Sequence, residues 1–274
     1  MKIKRHRLYH DDDTPVTYVP SPNYSGDILE HEYLVMHYTA GTRAESSIRW
    51  LTDRQAKASA HLVIARDGSV TQLVPFNKRA WHAGRSAWSH RVGLNNYSIG
   101  IELDNAGRLM RRGTSWVNWA ERTIPDEEVV QAEHRNEPRS SGWHTYTPEQ
   151  IDSALQVARA LVAHYRLIEV IGHDDIAPGR KYDPGPAFPM SSFRSSILGR
   201  DEHEDGLYET TTELNIRKGP GASHETLEGS PLARGTKVLV SRNLGNWWNV
   251  EVLDEEGTGS DLDGWVHARY LRPA

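Results

Sequence analysis

Between Ile171 and Pro189 the chain reads IGHDDIAPGRKYDPGPAFP. Pro178 and Gly179 lie inside this stretch and Pro184, Gly185 and Pro186 close it, so neither a helix nor a strand can run through. Proline removes a backbone donor and fixes φ, and glycine admits turns that other residues disfavour. The segment must therefore be an ordered loop, and it carries an imidazole (His173), carboxylates that include Asp183, and the cations Arg180 and Lys181. Catalytic zinc usually takes three protein ligands from His and Asp or Glu and keeps a fourth position for water. His173 and Asp183, ten positions apart, are donors of that kind. A third ligand must then come from elsewhere in the chain.

Composition narrows the chemistry further. None of the 274 residues is cysteine, which excludes thiolate zinc ligands, disulfides and thiol nucleophiles together. No G-x-S-x-G elbow occurs, so a serine hydrolase has no support. The N-terminus, MKIKRHRLYHDDDTP, has no apolar segment after its basic residues and fails as a secretory signal. No apolar run approaches the roughly 20 residues of an integral membrane segment. A net charge of −5 gives no support for a nucleic-acid partner or an anionic membrane surface.

The rest of the chain reads as support for the loop. Residues 1–30, with Pro15, Pro20, Pro22 and Gly26, suggest an extended arm on the domain surface. Tyr33 to Met36 is a short apolar run that ends at Thr39 and Gly41, as a buried strand would, with His37 at its end. Ile48, Leu51 and Gln55 have helical spacing within 44–56. The runs 60–65 and 69–74 flank Asp67-Gly68, a dipeptide expected at a tight hairpin turn. SIGIELDN returns to strand character through Ile99, Ile101 and Leu103. Residues 105–146 carry Trp116, Trp119 and Trp143 among many charges, a composition that suits an insertion covering a groove better than a core element. Thr147, Pro148 and Gln150 form a helix start. That helix is expected to reach about Arg166 with Ile151, Leu155, Ala158 and Val162 as its apolar face, before a strand from Ile168 to Gly172 enters the loop. The order predicts an α/β domain with a mixed β-sheet flanked by helices. His37 gains significance because its strand and the strand before His173 can be neighbours, opening both loops at one sheet edge.

Near residues 200–206 the charged GRDEHEDG marks a linker. Beyond it ELNIRKGPG, TKVLVSRN, WWNVEVL and GWVHARYLRP are brief alternating segments between Gly-rich turns, the appearance of a small all-β barrel. The expected division is a catalytic domain over 1–200, a linker over 201–206 and a barrel over 207–274.

HYTAG, SAHLVIARDGSVTQLVP, RAWHAGRSAW, SIGIELDN and GHDDIAPGRKYDPGPAFP occur in this order. Together they closely resemble the zinc N-acetylmuramoyl-L-alanine amidases of the type-2 amidase family, which is related to peptidoglycan recognition proteins. The resemblance covers roughly residues 30–190. It implies one zinc ion per chain held by His37, His173 and Asp183, catalytic roles for Glu102 and Lys181, and peptidoglycan or muropeptides as partner. Residues 105–146 align with nothing in that pattern.

The physical reading of those residues agrees. A zinc-bound water is activated near neutral pH. Glu102, on a strand that can face the site, can carry the water's proton to the leaving alanine nitrogen. Lys181 can face the developing oxyanion as a fixed positive charge. His61, His82 and Trp81 are candidates for substrate contact, with His61 and His82 alternatively supporting the ligands from behind. Trp88 and Trp116 are further candidates for stacking on sugar faces. The C-terminal segment resembles a bacterial SH3-like domain through LNIRKGPG and GWVHARYL, which implies wall binding. A non-catalytic peptidoglycan receptor on the same fold is the rival reading. Against it, a receptor has no reason to keep a water-activating centre.

Overall fold

The computed structural model describes residues 1–137, 139–198, 207–244, 247–254 and 259–273. The chain divides into two units, Met1–Met190 and Ser191–Ala274, and the expected linker over 201–206 lies outside the described residues.

In the first unit, β1 (Thr17–Tyr18), β2 (Tyr33–Tyr38), β3 (Leu62–Ile64), β4 (Val70–Gln72), β5 (Ser98–Leu103) and β6 (Glu169–Gly172) form one six-stranded sheet in the order β6-β2-β5-β3-β4-β1. The sheet is mixed: β2 is parallel to β5 and β6, β5 is parallel to β3, and the β3–β4 hairpin is antiparallel. A strand covered on both faces reads as a continuous apolar run, and Tyr33 through His37 are all buried.

Register does the functional work. β5 lies against β2 with Ile101 opposite Met36 and Glu102 opposite His37. Residues directly opposite one another share a face of the sheet, so Glu102 and His37 project together. β6 pairs Gly172 with Met36, so the chain leaves the sheet beside His37 with His173 as its next residue. Tyr33, Val35, Leu94, Ile171 and Ile176 pack together as one core cluster. A second cluster joins Leu51 of helix α1 (Ala44–Thr52) to Val63, Leu73, Val74 and Ala80. Helix α1 is shorter than the expected 44–56. Asp53 is extended, and its carboxylate accepts the Gln55 N–H at 2.8 Å, opening a separate 3-10 turn over Arg54–Ala56.

Two other expectations need correction. Helix α2 (Pro148–Tyr165) begins as expected, with the Thr147 hydroxyl accepting the Gln150 N–H at 3.2 Å. Its buried face, however, is Gln150, Ala154, Val157, Ala158 and Leu161 rather than Ile151, Leu155, Ala158 and Val162. Gln150 decides the rotation, because its buried amide donates to the carbonyls of Ile64 and Asp104 at 3.0 and 3.1 Å and fixes the first turn of the helix to the sheet. The N-terminal arm is also more than a surface wrap. Its residues supply β1, and Leu8 and Val16 are buried. The side chain of Gln72 accepts the N–H of Leu8 at 3.0 Å.

The 105–146 insertion is a five-stranded antiparallel sheet in the order Thr123–Ile124, Ser115–Val117, Arg108–Arg112, Ser140–His144, Val129–Glu133. It has a small core of Ala106, Leu109 and Ile124, against which Trp116 packs. Trp143, read from composition as part of a cover, is 1% exposed and donates its indole N–H to the Ala132 carbonyl at 3.1 Å. It is a core residue that supports the loop after Asp183: a Cβ on Gly185 would lie 2.7 Å from its ring.

In the second unit, β7 (Leu207–Thr210), β8 (Lys237–Leu244), β9 (Trp247–Leu253), β10 (Gly259–His267) and β11 (Leu271–Pro273) form an antiparallel sheet in the order β10-β9-β8-β7-β11. Its core is Leu214, Ile216, Leu232, Val238, Val250 and Val266. Alternating apolar residues on brief strands produce this one-sided burial.

Candidate metal centre

The carboxyl ends of parallel strands open together, and in open α/β sheets ligands bind outside those ends. β2 delivers His37, β5 delivers Glu102 and β6 delivers His173 to one edge of the sheet. The proline-rich loop then returns Asp183 to the same point, where the Asp174 N–H donates to the Asp183 carbonyl at 2.8 Å. Tyr146 adds a second tie, its hydroxyl donating to the Pro184 carbonyl at 2.7 Å.

His37 Nδ1, His173 Nδ1 and Asp183 Oδ2 form a triangle whose three edges are each 2.9 Å. All three residues are buried. The bonds on the far side of each ring fix where the protons are. His173 Nε2 faces the Ala83 carbonyl at 3.2 Å and must donate to it, which leaves Nδ1 with a lone pair. His37 Nε2 lies 2.9 Å from His82 Nδ1, His82 Nε2 lies 3.4 Å from the Ser98 hydroxyl, and that hydroxyl donates to the Leu94 carbonyl at 2.6 Å. Reading the chain back from that carbonyl, Ser98 accepts from His82, and His82 accepts from His37. Both Nδ1 atoms therefore present lone pairs to a carboxylate. Burial pushes His37 down to about 4, with His173 the next cause, so its imidazole is neutral. Three electron-pair donors facing one another with no hydrogen between them fit a cation, and two imidazoles with one carboxylate are a donor set suited to zinc.

Glu102 stands beside this triangle. Its Oε2 is buried without a hydrogen-bond partner. Burial, and secondarily the Asp183 carboxylate, raise its pKa to about 8, against the opposing charge of Lys181. A carboxyl group poised near neutrality can both hold and release a proton. Glu102, Lys181, His82 and Trp81 all line a cleft of about 780 Å³ that opens over His173 and Asp183. Arg180 fastens the cleft's floor, donating to the carbonyls of Ala83 and Arg85 at 3.0 and 2.6 Å.

His61 does not reach the cleft. It is fully buried, its Nε2 is 2.8 Å from the Lys78 carbonyl and its Nδ1 accepts the Gly100 N–H at 3.0 Å, so both ring nitrogens are satisfied within the core. Trp88 likewise packs on the core and donates its indole N–H to Glu169 at 2.9 Å. His82 sits behind His37, orienting it, as well as lining the cleft. Its place is made by Gly100 of the SIGIELDN strand, where a Cβ would lie 2.5 Å from the His82 ring.

Several residues at the site carried no sequence signal that separated them from ordinary surface or core. Trp50, Tyr38 and Tyr182 line the cleft, joined there by Trp119, one of the tryptophans that the composition of 105–146 assigns to a groove cover. His134 and Arg135 of the insertion reach Asp174, at 3.0 and 2.7 Å, and so brace the residue that follows His173. Only the pairing of the insertion with the loop brings them there.

The profile of the family described as N-acetylmuramoyl-L-alanine amidase matches residues 29–186. The 1,6-anhydro-N-acetylmuramyl-L-alanine amidase AmpD of Escherichia coli K12 is 34% identical over 197 residues, which are 64% of this chain and 88% of AmpD. The N-acetylmuramoyl-L-alanine amidase AmiD of the same organism is 34% identical over 61% of this chain and 53% of its own length. Among solved structures, a crystal structure of a selenomethionine derivative of AmpD superposes with a TM-score of 0.51 at 28% identity, covering 72% of this chain and all of that one. A complex of E. coli AmiD holds the substrate anhydro-N-acetylmuramic acid-L-Ala-D-gamma-Glu-L-Lys (33% identity, TM-score 0.46, 60% of this chain and 56% of that one). With its profile matched from the start of β2 through the proline-rich loop and AmpD covered almost end to end, this chain belongs to the N-acetylmuramoyl-L-alanine amidase family.

Proposed function

We propose that the first unit hydrolyses the amide between N-acetylmuramic acid and L-alanine in peptidoglycan or its soluble muropeptides, with one zinc ion held by His37, His173 and Asp183. The observation that carries the reading is the triangle of lone-pair donors with an unpartnered, near-neutral carboxyl group, Glu102, beside it. The chemistry such an ion supplies is Lewis acidity toward a carbonyl oxygen and activation of water.

The chain's own residues perform the remaining tasks. Glu102 takes the proton of the attacking water and delivers it to the departing alanine nitrogen, a transfer that its raised pKa suits. Lys181, on the cleft wall, places a fixed positive charge near the tetrahedral oxyanion. The chain His37–His82–Ser98–Leu94 holds His37 in the tautomer that ligation requires. Trp81, anchored by its indole N–H on the Ser25 hydroxyl at 3.1 Å, offers a ring face along the cleft for the sugar. A non-catalytic receptor would have no use for a buried carboxyl group without a partner.

The second unit is read as an SH3-like barrel that holds the enzyme on the wall. A five-stranded antiparallel sheet with its own apolar core supports that reading. The deciding experiment is incubation with intact sacculi and with soluble anhydro-muropeptides, with products identified by mass. The expected products are an intact peptide with a free L-alanine amino terminus and, on the sugar side, a free lactyl carboxylate on the glycan of the sacculi or on anhydro-N-acetylmuramic acid from the soluble substrate. Activity retained in protein shown to be metal-free would overturn the zinc mechanism.

A further inference from the structure

Next to the catalytic cleft, and sharing Tyr38, Ala40, Trp119 and Tyr182 with it, a second cleft of about 700 Å³ opens onto the insertion's sheet. Its wall is built with care. Asn118, 1% exposed, accepts the N–H groups of Ala120 and Arg122 at 3.0 Å each and closes the turn that carries Trp119. Trp119 then donates its indole N–H to the Ala40 carbonyl at 2.8 Å while the residue stays 72% exposed. An aromatic ring pinned by one edge with its faces in solvent has no packing role.

Two glycines seat the neighbouring rings. A Cβ on Gly142 would come within 2.6 Å of Trp116, and one on Gly107 within 2.4 Å of the Tyr38 ring. Arg111 lies 4.8 Å over the Trp116 ring and Arg108 5.5 Å over that of Tyr182. Arg108 also pairs with Glu137 at 2.7 Å, whereas Arg111 has its face on an indole and no carboxylate partner within the cleft. Among the described residues that line this wall there is no Asp or Glu, although the chain as a whole carries a net charge of −5. With Arg108 already paired to Glu137, Arg111 is the cation this wall leaves for a ligand, and beside flat rings it suits an acidic peptide: arginine binds carboxylates with geometry that a neutral sugar cannot use.

Resting on the reading that this chain cleaves muropeptides, we propose that the insertion's cleft is a subsite for the stem peptide beyond L-alanine, in which Arg111 holds the free carboxylate of an acidic second residue and Trp116 and Trp119 flank the chain. The subsite adjoins the metal centre through Tyr38 and Tyr182, so a substrate whose amide lies at the metal can continue into it. It is made by residues 105–146, the part of the sequence that aligns with nothing in the family pattern, and it would give this chain a stem-peptide preference of its own.

The test is calorimetric binding to metal-depleted protein, so that no hydrolysis intervenes. Three ligands are compared: N-acetylmuramoyl-L-Ala, N-acetylmuramoyl-L-Ala-D-γ-Glu-L-Lys, and the same tripeptide ligand with the glutamate carboxylate amidated. The acidic ligand should bind about tenfold more tightly than the other two, the effect of one charge-assisted hydrogen bond. Arg111→Gln should erase that preference. Ser140→Asp, at an exposed strand position on the same wall, should do so by charge alone. Equal binding of the acidic and amidated ligands, or no binding of any of them, would overturn the subsite. So would an Arg111→Gln effect that is equal on all three, since the wall would then be holding the sugar. Hydrolysis of the same ligands by the zinc-loaded protein is read separately, so the amidase reading and the subsite can fail independently.

Discussion

Replacing Glu102 by glutamine changes almost no volume and removes one ionisation, so its consequences can be worked from the site. In the metal-free protein the carboxyl group has a pKa of about 8 against an ordinary 4.5, chiefly because burial penalises its charge. A folded-state pKa above the unfolded value means that the stability tied to this group is fully present below about 4.5 and is lost as pH rises through about 8. At pH 7 the loss is bounded by roughly 2.5 pH intervals at 1.36 kcal/mol each, about 3 kcal/mol. Partial access to solvent reduces this to about 1–2 kcal/mol. Glutamine has no such penalty.

Urea unfolding of chelator-treated wild type and Glu102→Gln, run in parallel at pH 5, 6, 7 and 8, should therefore show the variant gaining stability relative to wild type as pH rises. The second unit contributes equally to both proteins and cancels in the difference. With zinc restored, the variant should keep one metal ion per chain and lose about 10²–10⁴-fold in kcat, the usual contribution of a general acid–base group. A difference in stability that stays flat from pH 5 to 8 would show that Glu102 is not shifted. Turnover within a few-fold of wild type would show that another group moves the proton.

Other perturbations separate the remaining roles. His173→Ala should lose both bound metal and activity, read by metal analysis and by product release before and after zinc is added back. His82→Ala removes the acceptor that orients His37, and zinc affinity measured by competition with a chelator should fall about 10–100-fold. Gly100→Ala should weaken zinc binding in the same direction without touching any ligand, because its Cβ would lie 2.5 Å from the His82 ring. Truncation after residue 206 should leave turnover of a small soluble muropeptide nearly unchanged and lower activity on insoluble sacculi, since a tethered weak binder raises local concentration. Equal loss on both substrates would place the second unit in the catalytic machinery.

The sequence by itself determined the elements whose cause is local. The proline and glycine spacing of 171–189 stops any long element there, although the segment holds the end of β6 and, against the expectation of a plain loop, a four-residue helical turn at His173–Ile176; the Thr147-Pro148 pair starts a helix, and an unbroken apolar run makes β2 a buried strand. The five family motifs also named the metal and catalytic candidates in advance. Tertiary structure decided what depends on register and on distant partners. Glu102 faces the same side of the sheet as His37 because β5 aligns the two opposite one another, and a slip of one residue would turn it to the other side. Helix α2 buries Gln150 rather than Ile151 because two carbonyls at the sheet's end need a donor, a demand invisible to hydrophobic periodicity. His61 and His82 looked alike as candidates, yet one spends both nitrogens on the core and the other orients His37. The insertion offered no period to read, since its tryptophans divide between a core position at Trp143 and cleft positions at Trp116 and Trp119. Local chemistry acts through neighbours a few residues away and is written in order along the chain. The site is assembled from strands far apart in the chain, with His37 and His173 separated by 136 residues, and only the pairing of those strands selects which side chains meet.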